Sequence, residues 1–538
     1  MKLSHASIAE NRALFEAKGY QMPAFDRDAM IAATADHPTW VHFGAGNIFR
    51  GFLAPLAQQL LDEGVTDTGI VVAVGFDSSL LDAVYRPYDN LTVVATLCAD
   101  GEIRKKVVAS IADSICMVDG GAEWEKVCRA FRNPSLQMAS LTITEKGYNY
   151  LAADGSVLSA VMKDMEAGPQ GAVGYLGRIA ALCHERFVAC GAPIALVSMD
   201  NCSHNGSRLE AAVLAIAEGW LQRGLVDAGF LAWLRDRSKI TFPWSMIDKI
   251  TPRPDEAVRD LLEADGLEGM DLHVTRHGSY AAAFVNTEEA EYLVIEDKFP
   301  NGRPALERTG VIFTDGETVD MVETMKVCTC LNPLHTAMSV VGCLLGFTRI
   351  NEEMKDPDLR TLVERVGYTE GLPVVVDPGV IDPKAFFDEV IFKRLPNPFL
   401  QDDPRRIATD TSQKIPVRFG GTIRKYAQRE DLDVRSLKCI AFVLAAWCRY
   451  LMGIDDAGNP FTPSDDPMLS ELMPLVADVK LGEACDVRAT LRPILSNKTI
   501  MGSDLYEVGL AELVEENFAR LIAGPGAVRR VLHELVGE

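Results

Sequence analysis

The chain has 538 residues, 48% of them apolar, and carries 53 Lys and Arg against 76 Asp and Glu for a formal charge of -23. That length exceeds one ordinary core and points to two large domains, while the acidic balance argues against a nucleic-acid partner, whose phosphates are held by clustered Lys and Arg. Twelve cysteines without paired CxxC motifs, and no secretory segment, predict reduced thiols in a cytoplasmic protein; no apolar run reaches the roughly 20 residues that span a bilayer.

Residues 1–38 are polar and Ala-rich and read as a helical lead-in without a clear strand. Trp40, Val41, His42 and Phe43 form a short predicted strand that ends in Gly44, Ala45, Gly46, Asn47, Ile48, Phe49 and Arg50, with a helix following through Leu53 to Leu61. Strand, glycine turn and helix are the setting in which a dinucleotide pyrophosphate rests on backbone N–H groups. Phe49 stands where the third glycine of GxGxxG belongs. Arg50 either supplies charge to a phosphate or faces solvent. A second strand over 69–75 is apolar enough for burial on both faces. Asp77 at its end either accepts from ribose hydroxyls, which favours NAD over NADP, or serves a turn.

Two further strands, 91–96 and 107–111, read as a local hairpin or a sheet extension. Ser140 to Thr144 is another strand, ending in Glu145, Lys146, Gly147 and Tyr148. A helix over 174–190 precedes a strand over 194–199, which delivers Asp200, Asn201, Cys202, Ser203, His204 and Asn205. In open α/β sheets ligands sit beyond the carboxyl ends of the strands, although Asn201 and Asn205 also suit turn and N-cap duty before a helix over 209–221. The stretch 241–252, rich in proline and aromatics, reads as a fixed loop, as does 296–303. Near Thr314 the texture turns helical, so domains are expected over 1–314 and 315–538. Helices are predicted over 359–366, 435–451, 469–480 and 508–522.

The run from Met325 to Gly346 places Lys326, Asn332 and His335 among apolar residues. A buried lysine loses hydration of its ammonium form, so its pKa falls from about 10.4 and it becomes a base near neutrality; an asparagine amide can donate to a developing alkoxide. Asn332 with Pro333 equally suits an N-cap followed by a first-turn proline. Cys328, Cys330 and His335 lack a fourth ligand and the usual spacing, so no metal is expected.

Taken in order, these pieces resemble the mannitol dehydrogenase family of polyol-specific long-chain dehydrogenases. The likeness runs from about Val41 to the C-terminal helices, on GAGNIFR at Gly44, SLTITEKGY at Ser140, DNCSHNG at Asp200, FPWSMIDKITP at Phe242, EDKFPNGRPALE at Glu296, the Lys326 stretch and AAWCRYLMGIDDAGNPF at Ala445. The resemblance implies an α/β N-terminal Rossmann-type domain and a mostly α-helical C-terminal domain that closes the substrate cleft. It implies metal-independent hydride transfer with NAD, NADP being left open, and a cofactor site at Phe43, Gly44, Ala45, Gly46, Asn47, Ile48, Phe49, Arg50, Asp77, Thr144 and Glu145. Lys326 matches the family's base, Asn201, Asn332 and His335 match the rest of its centre, and Arg406, Lys414, Asp248 and Lys146 are implied substrate contacts. The implied partner is a small polyol or hexonate: D-mannonate and D-fructuronate first, then mannitol and fructose or tagaturonate, in a monomer or weak homo-oligomer. Without the resemblance, Arg406 and Lys414 read as solvated charges on a loop.

One departure stands out. The family has four residues between its lysine and asparagine, and here there are five, from Val327 to Leu331. One extra residue turns a regular helix by about 100°, so a break or bulge near Pro333 is expected between Lys326 and Asn332. The altered spacing also motivates an alternative of another class, a dinucleotide-sensing protein that keeps the fold without the chemistry.

Overall fold

Strands that are apolar on both faces need cover on both sides, and the N-terminal half of the chain builds one such sheet. Its strands are β1 (Trp40–Phe43), β2 (Ile70–Val74), β3 (Ile111–Cys116), β4 (Met138–Leu141), β5 (Ile194–Ser198) and β6 (Ile240–Thr241). They lie in the order β3-β2-β1-β4-β5-β6, every pair parallel. This is the doubly wound dinucleotide order, whose direction of winding reverses between β1 and β4. The period-2 alternation splits each strand between two cores. Val41, Phe43, Val71, Ala73, Leu141 and Leu196 enter one, and Trp40, Ile70, Val72, Val74, Ala195 and Val197 enter the other. Phe43 lies opposite both Ala73 and Leu141, so the loops leaving β1, β2 and β4 start from one level edge.

The computed structural model describes residues 1–118, 121–400 and 402–537. The chain divides into a unit of Met1–Cys98 with Glu102–Asp320, and a unit of Ala99–Gly101 with Met321–Glu538. Several elements differ from their sequence reading. The lead-in contains a short strand, Tyr20–Gln21, beside Ile103–Val108. The hairpin pairs Thr92–Leu97 with Ile103–Val108, so the predicted strand 107–111 straddles the end of one strand and the start of β3. Strand β4 stops at Leu141, leaving Thr142 to Thr144 outside it. The presumed loop 241–252 contains the strand Ser245–Asp248, paired with Tyr292–Glu296.

In the second unit the predicted helices are present as Pro357–Glu364, Lys438–Tyr450, Leu469–Val476 and Ala511–Leu521. Contrary to the sequence reading, one helix, Gly316–Leu345, is long and apolar enough by length and composition to cross a bilayer, yet 72% of its apolar window is buried in the protein. Burial of that kind belongs to a core helix.

Among the described residues, Glu353 is an ionisable group buried in this second unit without a hydrogen-bond partner. It is fully buried, neither carboxylate oxygen has a hydrogen-bond partner, and it packs so closely on Gly342 that a Cβ there would lie 2.0 Å from Oε1. Desolvation, with Asp356 and Asp403 nearby, holds its pKa well above the ordinary value. The native state thus keeps a proton that the unfolded chain releases above about pH 4.3, so stability is lost as pH rises from there toward the native pKa, by up to about 1.4 kcal/mol per unit. Glu353→Gln, a neutral isostere, is expected to melt higher than the parent at pH 8, with the gap shrinking toward pH 5. A lower melting temperature at pH 8 contradicts this account.

Candidate active site

In the first unit the chemistry-bearing loops all leave the carboxyl edge of the sheet. Gly44 has φ +123°, and a Cβ there would sit 2.5 Å from the Thr142 carbonyl oxygen, so no larger residue fits. Gly46 faces open space, as close approach of a phosphate requires. The turn is braced from within. Tyr85 donates to the Ala45 carbonyl at 3.0 Å. Arg50, far from facing solvent, is buried and donates to the Ala282 carbonyl at 2.7 Å and to Asn47 Oδ1 at 3.0 Å. Phe43 is in the core. Phe49 stacks at 4.1 Å on His42, which bonds Ser140 and Thr142 and which burial pushes down to about 3, a neutral imidazole. Phe43, Phe49 and Arg50 therefore shape the loop from beneath, and Ile48 is half-buried. A π turn over Phe49–Leu53 joins the loop to α1 (Ala54–Asp62).

Asp77, beyond β2, is buried, and its Oδ2 has no partner among the described residues while Oδ1 accepts from Ser79. An orphaned acceptor at this strand end suits a ribose hydroxyl and would repel a 2′-phosphate. With the open Gly46 and the strand order, it fits the dinucleotide that such a sheet binds.

Beyond β4, Thr144 adopts φ 66°, ψ 158°, a region nearly reserved for glycine that costs a β-branched residue about 1–3 kcal/mol. Asp200, at the end of β5, holds it there. Its carboxylate accepts from Ile143 N at 2.7 Å, Thr144 N at 2.9 Å and Tyr148 Oη at 2.6 Å. Asn205 is no N-cap. It lies buried inside the first turn of α2 (Asn205–Gln222) and donates to the Asp200 and Ser245 carbonyls, 2.9 Å each. Asn201 is exposed between these anchors. Glu145 pairs with Arg208 at 2.8 Å, Lys146 is exposed, and Asp248 is buried at the end of its strand. A cleft of about 1020 Å³ lined by His204, Trp244, Glu296 and Lys298 includes none of the glycine-loop residues.

The second unit carries Lys326 in a π-helical turn, and Asn332 and His335 in the helix that opens after Leu331. The expected break is a widened turn: Lys326–Cys330 is π-helical, with Leu331 N bonded to the Lys326 carbonyl five residues back at 3.0 Å. Pro333 has no N–H for the carbonyl four residues before it, and a π turn absorbs one residue without disturbing the helix on either side. Leu331, at φ -127° and ψ -60°, then leaves the helix before Asn332, so a break lies between Lys326 and Asn332. Asn332 opens α3 (Asn332–Leu345) as a helical residue, with Leu331 in the cap position. Asn332 and His335, three apart, share a face. Lys326 is buried. Desolvation, reinforced by Arg394, Arg418 and Arg406 against Asp402, pushes His335 down to about 4, so its ring is neutral at physiological pH. Cys328, Cys330 and His335 form no ligand cluster among the described residues.

Arg406 is two-thirds exposed and paired with Asp402. Lys414, instead of lying on a loop, sits in α4 (Thr411–Arg418) with Nζ on the carbonyls of Ile407, at 2.9 Å, and Thr409. Sequence reasoning passed over two residues here. Asp200 is named in the sequence only as part of the polar cluster after β5, with no role of its own, and Arg418, which donates to Thr336 Oγ1 at 2.6 Å and to the Asn332 carbonyl at 3.3 Å, is not singled out. The signal for Arg418 was its i,i+4 spacing from Lys414.

A buried lysine, an asparagine amide and a neutral imidazole are groups that can move a proton at a hydroxyl or carbonyl oxygen, and the first unit offers a loop that fits a dinucleotide. Comparison with known proteins agrees. Residues 38–308 match the mannitol dehydrogenase Rossmann domain and residues 318–522 the mannitol dehydrogenase C-terminal domain. A D-mannonate oxidoreductase of Thermotoga maritima is 51% identical over all of this chain and 99% of its own length. A mannitol 2-dehydrogenase of Pyrenophora tritici-repentis is 32% identical, covering 87% of this chain and 76% of its own. Among solved structures, a substrate-free D-sorbitol dehydrogenase superposes with TM-score 0.76 at 25% identity over 96% of this chain and 97% of its own. The Pseudomonas fluorescens mannitol 2-dehydrogenase, in a ternary complex with NAD and D-mannitol, superposes with TM-score 0.68 at 25% identity over the whole of both chains. The chain is an oxidoreductase of the mannitol dehydrogenase family, a Rossmann domain followed by a mostly helical C-terminal domain.

Proposed function

We propose that this protein interconverts D-fructuronate and D-mannonate with NAD(H). What supports the reading is the full-length 51% identity to a D-mannonate oxidoreductase, on a chain that keeps Lys326, Asn332 and His335 on two successive helical segments. The orphaned Asp77 oxygen favours NAD over NADP. The π turn at Lys326–Cys330 is a backbone feature able to absorb one added residue, which supports a catalytic reading over a non-catalytic sensor.

A nicotinamide dinucleotide held by the glycine loop after β1 and by Asp77 would supply the hydride chemistry. Lys326, neutral, takes the hydroxyl proton during oxidation; protonated, it returns that proton to the carbonyl oxygen during reduction. Asn332 holds the oxygen with its amide and stabilises the negative charge that develops there, and the neutral His335 ring donates to the same oxygen or its neighbour. Asn201 is carried over from the family resemblance as a further amide donor. Oxidation is therefore expected to rise with pH through the Lys326 titration and reduction to fall. Twelve free thiols fit a reducing cytoplasm, and we take the working form as a monomer or weak homo-oligomer.

The test is NADH oxidation by the purified protein with fructuronate, tagaturonate and fructose offered separately. Fast turnover of fructuronate is expected. Preference for fructose would move the chain to mannitol chemistry, and NADH binding without any turnover would restore the sensor.

A further inference from the structure

Lys414 and Arg418 stand four apart on one face of α4, an arrangement of like charges that is unfavourable in itself. Both are half-buried, and both are held by neutral acceptors alone: Lys414 by the Ile407 and Thr409 carbonyls, Arg418 by Thr336 Oγ1 and the Asn332 carbonyl. Neither forms an ion pair among the described residues. Their neighbours differ in this respect. Arg405 is paired with Asp403 and Arg406 with Asp402, while Asp410 and Asp466 pull on Lys414 only from a distance, and Asp466 is engaged by Ser412 N and Oγ. In a chain of charge -23, two cations withdrawn from water without a carboxylate are costly. The cost is visible in their protonation: burial pushes Arg418 down to about 10, and burial with Arg418 nearby pushes Lys414 down to about 8.

The group that relieves this deficit is an anion. Arg418 uses Nη1 for its protein contacts, which leaves its Nε and Nη2 edge for the two parallel bonds that a carboxylate accepts. Both Nη1 contacts fall on α3, at Asn332 and one turn later at Thr336, and so flank His335. We propose that Arg418, with Lys414, seats the substrate's carboxylate and that Arg418 sets the preference for sugar acids over neutral sugars; this rests on the proposed function and names the residue that decides it. Arg406, exposed and already paired, is secondary.

The experiment compares kcat/KM for fructuronate and for fructose in the parent protein, Arg418→Gln and Arg418→Lys. Arg418→Gln is expected to cut the fructuronate-to-fructose ratio by about 10- to 100-fold, the worth of a charge-assisted hydrogen bond, chiefly through KM, and Arg418→Lys to recover part of it. An unchanged ratio, including an equal loss for both substrates, overturns the assignment and leaves Arg418 a brace for α3. A second measurement needs no uronate turnover: competitive inhibition by mannonate against inhibition by mannitol, with whichever ketone the parent reduces. If that inhibition ratio favours mannonate in the parent and falls in Arg418→Gln, the carboxylate seat stands even if the preferred ketone is not fructuronate; an equal ratio in both proteins overturns it.

Discussion

Lys326→Ala is expected to lower turnover at saturating substrate by about 10²-fold or more, since general acid–base catalysis commonly contributes 10²–10⁴-fold. KM for the ketone should change far less, because the oxygen keeps its amide donor at Asn332. The substitution leaves the π turn intact, for that turn is closed by main-chain atoms, Leu331 N onto the Lys326 carbonyl. Two readouts separate catalysis from folding. The variant should lose the pH dependence assigned to the lysine, and small primary amines should restore part of the rate. Near-normal turnover by Lys326→Ala would remove it from the mechanism.

Asp200→Ala is expected to be the next most damaging change. One carboxylate receives Ile143 N, Thr144 N and Tyr148 Oη, so its removal orphans three donors and frees Thr144 from its left-handed φ. Hydrogen bonds to a charged group are worth about 1.5–3 kcal/mol each, against which the strain at Thr144 is about 1–3 kcal/mol. The loop after β4 lies beside Gly44, whose close approach to the Thr142 carbonyl makes the two loops one structure. The expected result is a rise of about tenfold or more in the dissociation constant for NADH, with a lower melting temperature. Asp200→Asn keeps one acceptor and should fall between. NADH binding at parental strength by a folded Asp200→Ala protein would show that the bracing of Thr144 does not support the cofactor site.

Much of this was legible in the sequence where a pattern had a single physical meaning. The short apolar runs of β1, β2 and β5 sit between turn signals and are buried on both faces, and the loops after them carry polar clusters because those strand ends line the site. The failures have causes of equal clarity. Thr142, Ile143 and Thr144 have strand propensity, but the Asp200 carboxylate captures two of their N–H groups. The charged face of Ile103–Val108 hides a strand, while the apolar residues from Val107 to Ile111 run across the junction of two. Prolines at 243 and 252 made Ser245–Asp248 look like loop. Pro416 likewise disguised α4, and with the helix hidden the i,i+4 spacing of Lys414 and Arg418 carried no geometric meaning. After Lys326 the five-residue gap and Pro333 pointed to a break before Asn332, but not to the π-helical form of Lys326–Cys330 that precedes it.

The most direct measurement is the fate of a labelled hydride. Purified protein, NADH carrying deuterium at both nicotinamide C4 positions and fructuronate should give mannonate one mass unit heavier, with the deuterium on the former carbonyl carbon. Mannonate without the label, or labelled NADH left intact in the presence of fructuronate, would contradict the reaction proposed for this chain.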